Sequence, residues 1–493
     1  MLKRGVPPGG EAGRAAGELG SRGKEAKMRE QIRLYYRNVT AEVVGRKEGL
    51  TQGELKGLGK EVRRVTKLME VQRREGKLPY RDLPYQEALR GQVHKLARKL
   101  AGRFDNLAVL GIGGSALGNI ALQTALSDPL YNLRPPRGKP RLFVMDNVDP
   151  VQFGGLLDYL EGQWERTCFN VISKSGQTAE TAAQFLIVKD LLKKRLPKGR
   201  LAEHVIATTD PAKGTLREVA EREGLTCLEV PEGVGGRFSV LSQVGLFSAA
   251  MCGIDIEQLH AGARAMDRRV QRADWRKNPA ALFAAIQYLF YQKGKRLSVM
   301  MPYSYQLKDL GDWYRQLWAE SLGKQRDLKG KVVEVGPTPI KALGATDQHS
   351  QVQLYREGPH DKVFTFLEVA EFERDVALPK AAAEEALEYL GGKTMGKLMH
   401  CEKAATEYAL LQSGRPCLTV RFPQVDAHTV GQFIYLFEAA TSIMGEMLGI
   451  NPYDQPAVEL GKEATWALMG RAGYKSLRAK IESARRIDKK YLA

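Results

Sequence analysis

The sequence predicts an α/β protein of two doubly wound αβα domains with parallel sheets, followed by a C-terminal helical arm. Three observations carry this expectation. Short apolar runs recur, each closed by polar, glycine- or hydroxyl-rich residues and in most cases followed by a helical stretch, which is the pattern of parallel strands covered by helices. The pattern runs through the first half of the chain and starts again near residue 275. The chain has 493 residues, 43% of them hydrophobic, which exceeds one comfortable core and implies roughly two or three domains.

In order, residues 1–30 read as a flexible basic tail with no apolar stretch, and Glu11, Glu18 and Glu25 set it apart from an acid-poor transit peptide. Residues 31–270 are expected to form the first and larger domain. After a charged helical entry, NLAVLGIGGSALGNIALQTAL reads as strand, glycine-rich turn and helix, and RLFVMD, CFNVIS and HVIATT follow as strands. Residues 271–450 form the second domain: the helix PAALFAAIQYLFYQKGK, the strand RLSVMMPY, and later strands KVFTFLEV and PCLTVRF. A long helical period then runs through VDAHTVGQFIYLFEAATSIMGEMLG, and residues 451–493 supply a short loop and a final basic helix.

Composition narrows the function. No apolar run approaches the roughly 18 to 20 residues of a spanning helix, so no membrane role is expected. The net charge of +18 is compatible with polyanion binding, but Lys and Arg are interleaved with Glu and Asp, as in EVRRVTKLMEVQRREGK, rather than gathered in a stripe. Nucleic acid is therefore not expected as the main partner. The five cysteines, Cys168, Cys227, Cys252, Cys401 and Cys417, show no CxxC pair and no metal-ligand spacing, so a reducing cytoplasm is expected, with neither metal nor cofactor.

Six segments carry chemistry. GIGGSALG (Gly111 to Gly118) follows a strand and opens a helix, where glycines let backbone N–H groups approach an anion. The acidic residue that a dinucleotide site wants about twenty positions on is missing from YNLRPP, and a tight turn without ligand stays open as a reading. SKSGQTAET (Ser173 to Thr181) offers the Ser173, Ser175 and Thr178 hydroxyls and the Lys174 charge, a cradle for a phosphomonoester, although the hydroxyls alone also fit helix caps. GVGGRFSVLSQVGL sets Arg237 after two glycines, suited to a developing oxyanion or to an ordinary surface ion pair. In GDWYRQLWAESLGK, Gln316 and Glu320 fall at i and i+4 on one helix face; an aromatic-rich face suits desolvation of the carboxylate for proton shuttling, although a merely solvated helical Glu fits the same pattern. GATDQHSQ presents His349 and YDQPAVELGK presents Gln455 and Lys462; a lone His or Lys is as readily structural or surface charge.

Taken together and in order, these segments resemble the motif set of the glucose-6-phosphate isomerase family, over everything except roughly the first thirty residues. The resemblance implies two sugar-isomerase (SIS) domains and reversible isomerisation of glucose 6-phosphate to fructose 6-phosphate, by ring opening and then proton transfer through a cis-enediolate. It implies that Gly114, Ser115, Ser173, Lys174, Ser175 and Thr178 hold the phosphate and that Gln316 and Gln455 position the sugar. By the same resemblance Glu320 is the base, Arg237 steadies the enediolate, and His349 with Lys462 opens the ring, the histidine coming from the neighbouring subunit of a homodimer with shared active sites. Two departures stand out: Ala457 where the family usually has Gly, expected to shift the backbone that carries Lys462, and Gln243 where Pro is usual. An isomerase that also accepts mannose 6-phosphate, and a non-catalytic SIS sensor that would not need Glu320, Arg237 and Lys462, are the alternatives.

Overall fold

The computed structural model describes residues 31–380 and 384–492, so the expected basic tail lies outside the described residues. Its twelve strands are β1 (Arg33–Tyr35), β2 (Asn106–Leu110), β3 (Arg141–Met145), β4 (Thr167–Ile172), β5 (Val205–Thr209), β6 (Thr226–Glu229), β7 (Leu297–Pro302), β8 (Lys324–Arg326), β9 (Val332–Val335), β10 (Thr338–Lys341), β11 (Lys362–Val369) and β12 (Cys417–Phe422). Five of them form a parallel sheet in the order β3-β2-β4-β5-β6. The interior strands β2, β4 and β5 are buried at every residue, which explains why they read as unbroken apolar runs without alternation.

That order positions the site. The chain steps from β2 outward to β3, then returns across β2 to β4, so the winding direction reverses between β2 and β4. In an open parallel sheet such a reversal leaves a crevice beyond the C-terminal ends of the two strands, because their following loops diverge to opposite faces. GIGGSALG follows β2 and SKSGQTAET follows β4.

A second sheet has the order β1-β12-β11-β7-β10, parallel except for β1, which pairs antiparallel with β12 (Arg33 opposite Arg421, Tyr35 opposite Thr419). The expected boundary at 270/271 falls in the chain between the two sheets, but β1, from the territory expected for the first domain, is laid onto the edge of the second. One continuous cluster of buried side chains takes in Leu107 and Val109 of β2 together with Met300 of β7, Val363 of β11 and Leu418 of β12.

At its centre runs the helix Ala427–Leu448, buried without interruption from Thr429 to Gly445. It begins at a capping box, Asp426 accepting from Thr429 N while the Thr429 side chain accepts from Asp426 N, and ends at Gly449 in the left-handed conformation. Beyond it, the helices Glu459–Leu468 and Lys475–Ala484 form the C-terminal arm. Among the described residues, no helix is long and apolar enough to cross a membrane.

Candidate active site

A cleft of about 1350 Å³ opens at the C-terminal ends of β2 and β4. Of the residues to which the family resemblance gives a role in the site, all but His349 line it: Gly114, Ser115, Ser173, Lys174, Ser175, Thr178, Arg237, Gln316, Glu320, Gln455 and Lys462.

One wall is made of loops. After β4, the Ser173 hydroxyl is buried and turned into its own loop, accepting from Gly176 N at 3.0 Å and donating to Thr178 Oγ1 at 3.4 Å. Gly176 has φ +70°, and a Cβ there would stand 2.1 Å from Leu216 N, so the loop is pressed onto the start of the next crossover helix, Thr215–Glu223. Thr178 is the N-cap residue of the helix Ala179–Arg195, yet its side chain makes no capping hydrogen bond. Lys174 and Ser175 are exposed, with Lys174 Nζ donating to Val234 O at 3.2 Å. The result is a ring of hydroxyls and helix-start amides with positive charge beside it, which suits a phosphomonoester.

After β2, the turn Gly113–Ser115 closes this wall. A Cβ on Gly114 would stand 2.3 Å from the carbonyl carbon of Gly236, so glycine here is a condition for Gly236 and Arg237 to pass against the loop. That close approach carries Arg237 across to the other wall.

The other wall is built from side chains on a rigid frame. The helix Lys308–Leu322 presents Gln316 and Glu320 one turn apart, and Gln316 Nε2 donates to Glu320 Oε1 at 3.0 Å. Arg237 Nη1 donates to Glu320 Oε2 at 2.9 Å and to Gln455 Oε1 at 2.7 Å. Its Nε donates to Ser321 Oγ at 3.0 Å, and Nη2 donates to Pro452 O at 3.1 Å and Asp454 O at 3.2 Å. With a side chain 4% exposed, Arg237 is not a surface ion pair. Burial lowers its pKa, and Glu320 opposes that shift. The expected desolvation of Glu320 by aromatic neighbours is not found. Trp313, Tyr314 and Trp318 of the same helix are buried in the core, while the Glu320 side chain keeps 36% exposure and is held by Arg237 and Gln316 instead.

Lys462 lies on the helix Glu459–Leu468, half exposed and paired with Glu459 at 2.7 Å. His349 caps the turn Thr346–Gln348 after the edge strand β10; it is exposed and outside the cleft lining. Its neighbour Gln348 is fixed between Tyr303 (2.6 Å) and Glu402 (2.7 Å), so a braced turn holds the imidazole toward solvent.

The two departures are accommodated. Ala457 sits exposed in the turn Pro456–Val458 and is not at positive φ, so its backbone conformation does not demand glycine. Gln243 opens the helix Gln243–Cys252, the position where proline fits because its missing N–H would be unpaired anyway. Fully buried, Gln243 accepts from Glu229 N and donates to Leu89 O and Gln92 Oε1, tying β6 to the helix Glu87–Leu100.

Three residues at or behind the cleft go beyond the sequence reading. Lys324, at the end of RQLWAESLGK, lies behind the lining and is tied to the loop that carries Gln455 through Asp454 O. Lys213 and Tyr453 line the cleft, and Tyr453 packs on Phe238 with ring centres 5.5 Å apart. Tyr453 precedes the Asp454 and Gln455 of the quoted motif, so its position was legible; Lys213, in DPAKG, carried no signal of its own.

A switch-point loop rich in hydroxyls on a parallel sheet, backed by a second sheet of the same kind, is the architecture of the SIS-type α/β proteins. The fold matches a glucose-6-phosphate isomerase from Chlamydia trachomatis with a TM-score of 0.68 at 22% identity, over 81% of this chain and 77% of that one. A hypothetical protein from Thermus thermophilus matches with a TM-score of 0.80 at 33% identity, over 89% of this chain and all of that one. In sequence, the chain is 47% identical to a glucose-6-phosphate isomerase from Carboxydothermus hydrogenoformans over 88% of its own length and 94% of that protein's. It is also 47% identical to one from Rubrobacter xylanophilus, over 74% and 83% of the two chains. The phosphoglucose isomerase family model matches residues 97–483, and the chain belongs to that family.

Proposed function

We propose that this chain catalyses the reversible isomerisation of glucose 6-phosphate and fructose 6-phosphate. The observation that carries the proposal is the Glu320 carboxylate, gripped by Arg237 at 2.9 Å and Gln316 at 3.0 Å in the same cleft as the hydroxyl-rich loop. A phosphate seated on Ser115, Ser173, Lys174, Ser175 and Thr178 leaves the sugar carbons reaching toward Glu320. The carboxylate removes the C2 proton of the open-chain aldose; the released electron pair forms the C1–C2 double bond, and the carbonyl π pair moves to O1. Arg237 offsets the negative charge of this cis-enediolate in a site that partly excludes water. Glu320 then returns the proton to C1 as the O2 proton passes to O1 and C2 becomes the carbonyl carbon. Gln316 and Gln455 hold the hydroxyls.

Ring opening comes first, with Lys462 and His349 moving the proton between the hemiacetal hydroxyl and the ring oxygen. His349 lies exposed and outside the lining of its own cleft, which fits the role the family resemblance gives it, serving the cleft of a second copy; in this reading the working unit is a homodimer, and its place is the cytoplasm. Mixing Glu320→Gln with His349→Ala chains is then expected to restore activity, since one of the two sites in each mixed dimer is intact; no restoration would contradict the shared site.

The test of the reaction is a coupled assay of fructose 6-phosphate turnover on purified protein, with glucose 6-phosphate and mannose 6-phosphate followed together. Glucose 6-phosphate as sole product is expected. Both products would indicate a broader isomerase, and binding without turnover would indicate a sensor.

A further inference from the structure

Lys324 lies just beyond the helix that carries Glu320, and it is 9% exposed. An ammonium has three protons to donate and cannot accept. Here all three find carbonyls: Nζ donates to Glu320 O at 2.8 Å, Ser321 O at 3.0 Å and Asp454 O at 3.0 Å. The nearest carboxylate, that of Asp454, is 3.6 Å away and half exposed, so the buried cation is solvated chiefly by backbone.

Two of these carbonyls belong to the last turn of the Glu320 helix, where the backbone has no further N–H groups to offer. The helix stops at Gly323 with φ −72°, without the left-handed residue that would close it from the backbone itself. Lys324 supplies the missing donors, with a positive charge at the end of the helix dipole that favours one. The third carbonyl belongs to the loop that carries Gln455, and it is also held by Arg237 Nη2 at 3.2 Å. Asp454 O is thus the point where cations from two sides meet, Arg237 from beside the first sheet and Lys324 from the end of the helix.

We infer that Lys324 is a positioning residue for proton transfer: it fixes the end of the Glu320 helix to the Gln455 loop and so sets the geometry of carboxylate, guanidinium and amide. The inference rests on the isomerase reading above. It predicts a loss in turnover without a loss in anion binding, because the phosphate loop is on the opposite wall.

Lys324→Met keeps most of the stem and removes the donors, whereas Lys324→Gln keeps a donating amide. In the Met variant kcat is expected to fall roughly 30- to 100-fold, the scale of an ångström-sized misplacement at a reacting centre. The KM for fructose 6-phosphate and the inhibition constant of inorganic phosphate should stay within about threefold of wild type, at a temperature where circular dichroism shows the variant folded. The Gln variant is expected to fall between, and it decides the matter if the Met variant does not fold. A kcat within twofold of wild type in the folded variant would overturn the inference, as would kcat, KM and phosphate inhibition all deteriorating together. A wild-type protein without turnover would overturn the isomerase reading, and this inference with it; an active wild type beside an equally active Lys324 variant would overturn this inference alone.

Discussion

On one wall of the cleft, the loops after β2 and β4 offer hydroxyls and amides that any tetrahedral anion could use; on the other, a helix and a pinned loop bring a carboxylate, a guanidinium and two amides to one point. The loop wall depends on backbone fit, Gly114 against Gly236 and Gly176 against Leu216. The helix wall depends on side chains fixed by hydrogen bonds, above all Arg237, whose N–H donors are all taken up. Tolerance follows from construction. Damage to the loop wall should appear in substrate affinity, damage to the helix wall in turnover, and the strip where Arg237 crosses between them should affect both.

The sharpest break is Glu320→Gln, which keeps the shape of the helix wall and removes the proposed base. Turnover should fall roughly 10²- to 10⁴-fold, the usual contribution of general-base catalysis, with inorganic phosphate inhibition unchanged in steady-state assays. Next is Gly114→Ala at the crossing strip. The added Cβ has no room beside Gly236, so Arg237 must move; kcat should fall about 100-fold, KM should rise and the melting temperature should drop. Thr178→Val is confined to the loop wall and should raise KM about tenfold, the cost of one hydrogen bond to a charged group, with kcat nearly unchanged.

The smallest effect concerns a buried histidine on the helix Ile256–Val270, outside the cleft lining. Buried His260 faces Leu241 O through Nε2 at 2.9 Å and Arg90 Nη1 through Nδ1 at 3.2 Å. A guanidinium only donates, so Nδ1 accepts, Nε2 carries the proton and the ring is neutral. Burial pushes its pKa down from 6.5 to about 4. The unfolded chain therefore takes up this proton at higher pH than the folded one. The stability contributed by neutral His260 is complete above pH ~6.5 and is lost progressively as pH falls toward 4. Urea midpoints measured across that window should decline, and His260→Gln, which keeps the donor to Leu241 O without titrating, should decline less.

The loop wall was the more legible of the two in sequence, because its strands are short, mainly apolar runs without alternation and its turns are glycine and hydroxyl punctuation, both local signals. The helix wall was legible in its parts: Gln316 and Glu320 fall one turn apart by helix period alone. Their convergence with Arg237 and Gln455 was not, since it joins segments as many as 218 residues apart. Lys324 shows why. Its sequence context is a lysine after a glycine, and its role arises only where three carbonyls meet, one of them 130 positions away. Similarly, β1 is three residues with no apolar run, defined by the edge of β12 that it covers. Gln243 and Ala457 depart from the family pattern at a helix-opening position and in an exposed turn, where the backbone conformation admits either residue.

The central claim is that a carboxylate on the helix wall moves a proton between C1 and C2 of a sugar held by the loop wall. Its most direct test is to follow [2-²H]glucose 6-phosphate through the reaction by NMR in ordinary water, in wild type and in Glu320→Gln. We predict that deuterium is partly transferred to C1 of fructose 6-phosphate and partly lost to solvent, and that both routes collapse together in the variant. Complete retention of deuterium through turnover, at a rate indifferent to Glu320, would contradict the account.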